Sequence, residues 1–180
     1  ARIAYKWINR KTLFLTTRTI LLYQMKDAVE SGGEKVGVIG DGQYDDTKQF
    51  TCGMVQTFAA ALENRDFEYF VNQYMNNLEA FEAKDLEELR KKLTSKKVDK
   101  KKIEDQIEQR KEALLKARKT ERQVEQECRE KAEFHQKNRE KFIELMKSYE
   151  FIILEEAHES SGNGYFSIMN SAVNANYRLA

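Results

Sequence analysis

The chain contains no proline and only two cysteines among its 180 residues. Because proline breaks or kinks a helix, its absence is typical of a protein with long uninterrupted helices. Cys52 and Cys128 lie far apart and no secretory segment is visible, so the sequence predicts free thiols in a reducing compartment. No apolar run approaches the ~20 residues of a membrane span, which argues against a transmembrane helix.

The chain also lacks a strong overall charge, since its formal net charge is +1. The charges are nevertheless unevenly distributed: residues 84–148 hold 21 Lys and Arg against 15 Asp and Glu, and the remainder holds 10 against 15. Between Arg90 and Lys102 there are eight basic residues and one acid, Asp99. Such a run is either a solvated helix face or a contact for the phosphate backbone of a nucleic acid.

Short apolar runs alternate with segments of helical periodicity at both ends of the chain. The predicted strands are Lys11–Thr17, Lys35–Ile39, Phe50–Val55, Phe151–Leu154 and Tyr177–Ala180. The predicted helices are Ala1–Arg10, Thr19–Ser31, a helix from Ala59, and Ser161–Val173. This alternation predicts an α/β fold, with a parallel sheet covered by helices on both faces.

A long segment without glycine or strand signals interrupts this alternation. From Leu86 to Leu145 it carries an imperfect heptad of apolar residues, which predicts a coiled-coil-like helical hairpin. We expect its turn near Thr94–Lys102 and a long return helix, Ile103–Ser148. Because the outgoing helix is shorter, part of the return must pack elsewhere or bend. The predicted organisation is therefore an α/β domain, residues 1–65 and 149–180, with an inserted hairpin, residues 66–148.

The run Phe151–Glu159 carries the clearest chemical signal. Four large apolar residues predict a buried strand, and Glu155, Glu156 and His158 follow where that strand should end. The carboxyl ends of parallel strands are where open sheets bind ligands, and adjacent acids there suit a magnesium ion and an attacking water. The alternative is an acidic cap on a buried strand.

Polar residues follow two other predicted strands. Thr17 and Arg18 lie where a strand runs into a helix, and a helix N-terminus presents free N–H groups to a phosphate. Gln56 and Thr57 also follow a strand, where such a pair can donate hydrogen bonds to a nucleic-acid backbone. The alternatives are an ordinary N-cap threonine and a polar turn.

Taken in order, these segments resemble motifs of superfamily 2 helicases. Leu15–Gln24 resembles motif Ia, and Val36–Gly42 resembles the strand and glycine loop that follow this motif in related translocases. Cys52–Phe58 resembles motif Ic, and Phe151–His158 resembles motif II, which is also called the DEAH box. Glu155 stands where the family usually has Asp, and Met54 where it often has Thr. The chain is most similar to phage helicases that act on branched DNA, the UvsW-like group, over about half of its length.

This resemblance implies the first RecA-like motor domain of an ATP-dependent helicase or translocase, acting on branched or forked DNA in recombination, repair or replication. It implies ATP and Mg²⁺ as cofactors, with Glu156 as general base, Glu155 holding Mg²⁺ through water, and His158 linking the nucleotide state to the rest of the motor. It further implies backbone contacts to single-stranded DNA from Thr17, Arg18, Gln56 and Thr57, and a partner in a second RecA-like domain of the same protein. The expected location is the cytoplasm, or the host cytoplasm for a phage protein.

The chain departs from the family in two respects. None of its eight glycines is followed by lysine, so the P-loop G-x-x-x-x-G-K-[ST] is missing. We therefore expect a piece of a longer protein, lying between motif I and motif III, that is inactive alone. The basic hairpin has no counterpart in the family, so its contact with branched DNA is predicted from charge, through Lys96, Lys97, Lys100, Lys101 and Lys102.

Other classes of protein fit the same sequence. One is a non-enzymatic interaction module that binds a protein partner through the seam of the hairpin. Others share the motor itself, namely a restriction-enzyme translocase or an RNA helicase.

Overall fold

The computed structural model of the chain describes residues 10–93, 100–155 and 163–179. They divide into two compact units, Ala1–Asn64 with His135–Ala180, and Arg65–Phe134. The predicted helix Ala1–Arg10 lies outside the described residues, apart from Arg10. The insertion was predicted to end at Ser148, whereas residues 135–148 group with the first unit.

Within these ranges there are six strands and six helices. The strands are β1 Thr12–Thr16, β2 Val36–Gly40, β3 Gln43–Tyr44, β4 Phe50–Met54, β5 Phe151–Leu154 and β6 Tyr177–Leu179. The helices are α1 Thr19–Glu30, α2 Val55–Leu62, α3 Phe67–Leu93, α4 Lys100–Ala117, α5 Glu121–Ser148 and α6 Asn163–Ser171.

The six strands form one mixed sheet in the order β3-β2-β4-β1-β5-β6. All neighbours are parallel except β3, which is antiparallel to β2. The α/β class is thus confirmed, but the sheet is not wholly parallel, because the chain folds back on itself after β2. Gly40, Asp41 and Gly42 make that turn with φ of 129°, 50° and 74°, a region that glycine occupies readily.

Helices cover both faces of the sheet. Leu13 and Leu15 of β1 point into one core, together with residues of α2, α6 and the end of α5. Phe14 points to the opposite face and packs in a second core with Leu22 and Val29 of α1. Because successive side chains of a strand alternate between faces, a central strand buried on both sides reads as a continuous apolar run.

In the second unit, α3 and α4 pack as an antiparallel pair. Leu86, Ile103 and Ile107 form its buried seam. The guanidinium of Arg110 donates two hydrogen bonds to Asp85, of 2.6 and 2.9 Å, and lowers the pKa of that carboxyl. Arg118 does the same to Glu82, at 2.7 and 2.6 Å. Such two-pronged pairs fix the register of the two helices.

A single return helix is not formed, whereas the expectation that part of the return bends or packs elsewhere is confirmed. The segment is divided between α4 and α5, with a break at residues 118–120. Thr120 and Gln123 form a capping box there: the Gln123 N–H donates to Thr120 Oγ1, and the Thr120 N–H donates to Gln123 Oε1 at 3.0 Å. The sequence signal Thr-x-x-Gln was present but was hidden by the continuous apolar periodicity.

Two further details of the hairpin prediction need correction. Lys100–Lys102, placed in the turn, lie in the first turn of α4, while Thr94 and Ser95 lie outside the described residues. Phe142 and Leu145, placed in the heptad seam, pack instead in the core of the sheet. Apolar periodicity identifies the buried face of a helix but not the neighbour that covers it.

Cys52 and Cys128 are both buried free thiols. Burial raises the pKa of Cys52 to about 12. Every helix in the described ranges is too short or too polar to cross a bilayer.

Candidate nucleic-acid interface at the carboxyl edge of the sheet

Three of the predicted motifs end at one edge of the sheet. Strands β4, β1 and β5 are parallel neighbours, and Thr16 lies opposite Met54 while Leu15 lies opposite Leu154. The residues that follow each strand therefore leave the sheet at the same level. The N–H of Glu155 donates to the carbonyl of Leu15 at 2.9 Å, which holds the end of β5 against β1.

A side-chain hydrogen bond joins two of these strand ends. Nε2 of Gln56 donates to the backbone carbonyl of Thr17 at 3.0 Å. Gln56 and Arg18 are exposed, while Thr17 and Thr57 are half-buried. The segments that resemble motifs Ia and Ic are thus in direct contact.

Helices α1 and α2 both begin at this edge without a side-chain cap. The N-cap positions are Arg18 and Met54, both with extended backbone and neither making a side-chain cap hydrogen bond. In contrast, Asp66 accepts the N–H of Tyr69 at the start of α3. Thr17 is therefore not an N-cap threonine, and the side chains at the two N-cap positions do not bond the first-turn N–H groups of α1 and α2.

The turn from β4 into α2 requires a glycine. A Cβ on Gly53 would lie 2.5 Å from Cε2 of Phe58 and 3.0 Å from Cδ2 of Leu15. Both side chains are fully buried, and the ring of Phe58 packs edge-on against Phe142 at 5.3 Å. The close approach of Phe58 over Gly53 fixes the direction in which α2, and with it Gln56 and Thr57, leaves the sheet.

A polar cluster at the glycine turn was not predicted from the sequence. The hydroxyl of Tyr23 donates to Oδ2 of Asp41 at 2.9 Å, and Nε2 of Gln43 donates to Tyr23 Oη at 2.7 Å. The hydrogen bond to Asp41 raises the pKa of Tyr23. These residues come from α1 and the β2–β3 turn, and no spacing in the sequence indicated that they would meet.

The remaining predicted site residues divide into two groups. Glu155 is half-buried at the end of β5, and Lys101 and Lys102 are exposed in the first turn of α4, in the second unit. Glu156, His158, Lys96 and Lys97 lie outside the described residues, so their roles stay predictions.

The donor set can be compared with the predicted cofactors. Mg²⁺ in phosphoryl-transfer sites is held by one or two carboxylates together with phosphate oxygens, and Glu155 fits one such position. Among the described residues no group of three or more His, Cys, Asp or Glu is arranged to hold a metal ion. None of the eight glycines in the sequence is followed by lysine.

No protein-family model, curated protein or solved structure matches the chain.

Proposed function

We propose that the chain is part of the first RecA-like motor domain of an ATP-dependent superfamily 2 DNA helicase or translocase. The observation that carries this proposal is the hydrogen bond from Gln56 to the carbonyl of Thr17. It brings together the two segments that resemble nucleic-acid-binding motifs, at the edge of the sheet where parallel strands bind ligands.

The proposed ligand at this edge is the backbone of single-stranded DNA. Two adjacent helix N-termini, after Arg18 and Met54, direct partial positive charge and their first-turn N–H groups toward the same edge. Arg18 adds a full charge, and Thr57 adds a hydroxyl. Groups of this kind bind phosphates without reading bases, as a motor that moves along DNA requires.

In this proposal, ATP hydrolysis requires some groups from this chain and others from the rest of a longer protein. We propose that Glu155 holds Mg²⁺ through water, that Glu156 acts as general base, and that His158 links nucleotide state to the motor. The P-loop, ATP and the second RecA-like domain complete the site in this proposal. The same motor could serve a branched-DNA helicase, a restriction-enzyme translocase or an RNA helicase.

A binding experiment with a matched control tests the DNA contact. Affinity for a fluorescent single-stranded oligonucleotide is measured for Arg18→Ala and Thr57→Ala, with Arg10→Ala as control. Arg10 lies just before the amino end of β1 and makes an exposed ion pair with Glu150 at 2.8 Å, which contributes little stability. We expect about 3- to 10-fold weaker binding for each edge variant, the net value of one ordinary hydrogen bond, and no change for the control.

The sequence dependence of the loss is equally informative. Because backbone contacts carry little sequence information, both variants should lose affinity equally for different base compositions. Normal affinity in Arg18→Ala and Thr57→Ala, or a changed base preference with affinity intact, would show that this edge is not a backbone-binding site.

One observation favours the alternative of a protein-interaction module. The second unit has an open groove of about 600 Å³ lined largely by apolar side chains of α3, including Phe67, Val71 and Met75. Open apolar grooves are a common docking site for helices. An interaction module would be insensitive to Arg18→Ala and Thr57→Ala, so the same experiment separates the two functions.

A further inference from the structure

Helix α5 holds the carboxyl end of α2 by two polar contacts. Nε of Arg139 donates to the carbonyl of Leu62 at 3.0 Å, and Nε2 of His135 donates to the carbonyl of Glu63 at 2.9 Å. The last carbonyls of a helix have no partner within that helix, and cationic side chains are favourable there. Both side chains come from a segment more than 70 residues away in sequence, so this is a tertiary contact rather than a local cap.

Apolar packing extends the same contact along α2. Phe58 of α2 meets Phe142 of α5 edge-on, with ring centroids 5.3 Å apart. Val55, Ala61 and Leu62 share a buried core with Leu145 and Met146 of α5. On another side, Gly164 of α6 approaches Ala59 so closely that an added Cβ would lie 2.9 Å from the Ala59 Cβ.

The length of α2 makes this contact relevant to its other end. The helix has eight residues, about 12 Å, and carries Gln56 and Thr57 in its first turn. A helix this short behaves as a rigid rod, so a displacement at Leu62 is passed to Thr57. Arg139 and His135 are both half-buried, which limits their freedom to follow α2 if it moves.

We propose that Arg139 and His135 are positioning residues for the nucleic-acid site: by holding the carboxyl end of α2, they set the orientation of Gln56 and Thr57 at its amino end. This inference rests on the proposed function, because it concerns the same site. It adds that residues of α5, which the sequence had placed in the inserted hairpin, act on DNA binding without touching DNA.

A double-mutant cycle tests this inference in the chain. Single-strand affinity is measured for Arg139→Met, Thr57→Ala and the double variant, with Arg122→Met, an exposed residue of the same helix, as control. We expect about 5-fold weaker binding for each single variant, the value of one hydrogen bond. Because part of the effect of Arg139 runs through Thr57 and part through Gln56, the double variant should lie clearly between about 5-fold and 25-fold weaker, whereas independent losses would multiply to about 25-fold.

Two further measurements separate positioning from general stability. Arg139→Lys keeps a cationic donor near Leu62 and should recover most of the affinity, whereas Arg122→Met should bind normally. Thermal unfolding followed by circular dichroism shows whether each variant is folded under the binding conditions. If Arg139→Met fails to fold, His135→Phe, which removes the second hydrogen bond and keeps a ring, takes its place in the cycle.

Each result has a defined meaning. Non-additive losses with recovery by lysine support the inference. Normal binding by folded Arg139→Met and His135→Phe, or strictly additive losses with Thr57→Ala, would overturn it while leaving the DNA site intact. Normal binding by Thr57→Ala and Arg18→Ala would instead refute the DNA site, and the inference would fall with it.

Discussion

Replacement of Gly53 by alanine should destabilise the first unit, because its Cβ has no room. The new methyl group would lie 2.5 Å from Cε2 of Phe58 and 3.0 Å from Cδ2 of Leu15. Neither side chain has any exposed surface, and Phe58 cannot swing away without displacing Phe142. Overpacking a tight core by one methyl group costs about 1–3 kcal/mol. Urea unfolding of wild type and Gly53→Ala measures this cost directly.

A second substitution tests whether the clash is the cause. Phe58→Leu removes the ring that meets the new methyl group, so the cost of Gly53→Ala should fall to less than half in that background. Gly33→Ala is the matched control, because nothing lies within 4 Å of its Cβ position. Its φ of 86° predicts a cost of roughly 1–2 kcal/mol that Phe58→Leu leaves unchanged. A Gly53→Ala protein as stable as wild type would refute the packing argument.

Three more predictions follow from the site and the core. In a longer protein that supplies the P-loop, Glu156→Gln should reduce ATP turnover by ~10² or more without loss of nucleotide binding, and near-normal turnover would exclude it as general base. A variant that neutralises the basic stretch combines substitutions at Lys96, Lys97, Lys100, Lys101 and Lys102. The log–log slope of branched-DNA affinity against salt concentration should become flatter by about 0.9 for each lost phosphate contact, and an unchanged slope would exclude DNA contact by this stretch. Burial raises the pKa of the Cys52 thiol from 9.0 to about 12, so the thiol of the unfolded chain ionises first and the free energy of unfolding should fall as pH rises through that interval. Urea unfolding at several pH values should show a shallower fall for Cys52→Ala, and the difference in slope should correspond to at most one proton released per molecule.

The sequence predicted the parts of the fold that depend on local pattern. Each predicted strand is present, and β1, β4 and β5 are buried on both faces as expected for central strands of a covered sheet. Strand β3 was missed because two exposed residues, Gln43 and Tyr44, give no periodicity. The break before α5 was missed because the apolar spacing continues across it, although the Thr120–Gln123 box marks it.

The candidate site was predictable in type but not in geometry. Thr17, Arg18, Gln56 and Thr57 could be picked out because they are polar residues at the ends of predicted strands and lie in segments that resemble helicase motifs, and their roles stay predictions. That Gln56 would bond the Thr17 carbonyl depends on β4 lying beside β1, which is a matter of strand order. The contacts of Arg139 and His135 with α2 depend on how α5 packs, and no local signal carries that information.

The strand order also has a consequence for how the chain folds during synthesis. Strand β1 pairs with β4 on one side and with β5 on the other, where Thr12 lies opposite Phe151. The first neighbour emerges from the ribosome soon after β1, but the second emerges only after the whole of Arg65–Phe134 has been made. Until then β1, every residue of which is buried in the folded sheet, has one unpaired edge, the kind of surface that captures other strands. The helices of the second unit, whose contacts are local, can form during that interval, so the pairing of β5 with β1 has to follow the synthesis of the second unit.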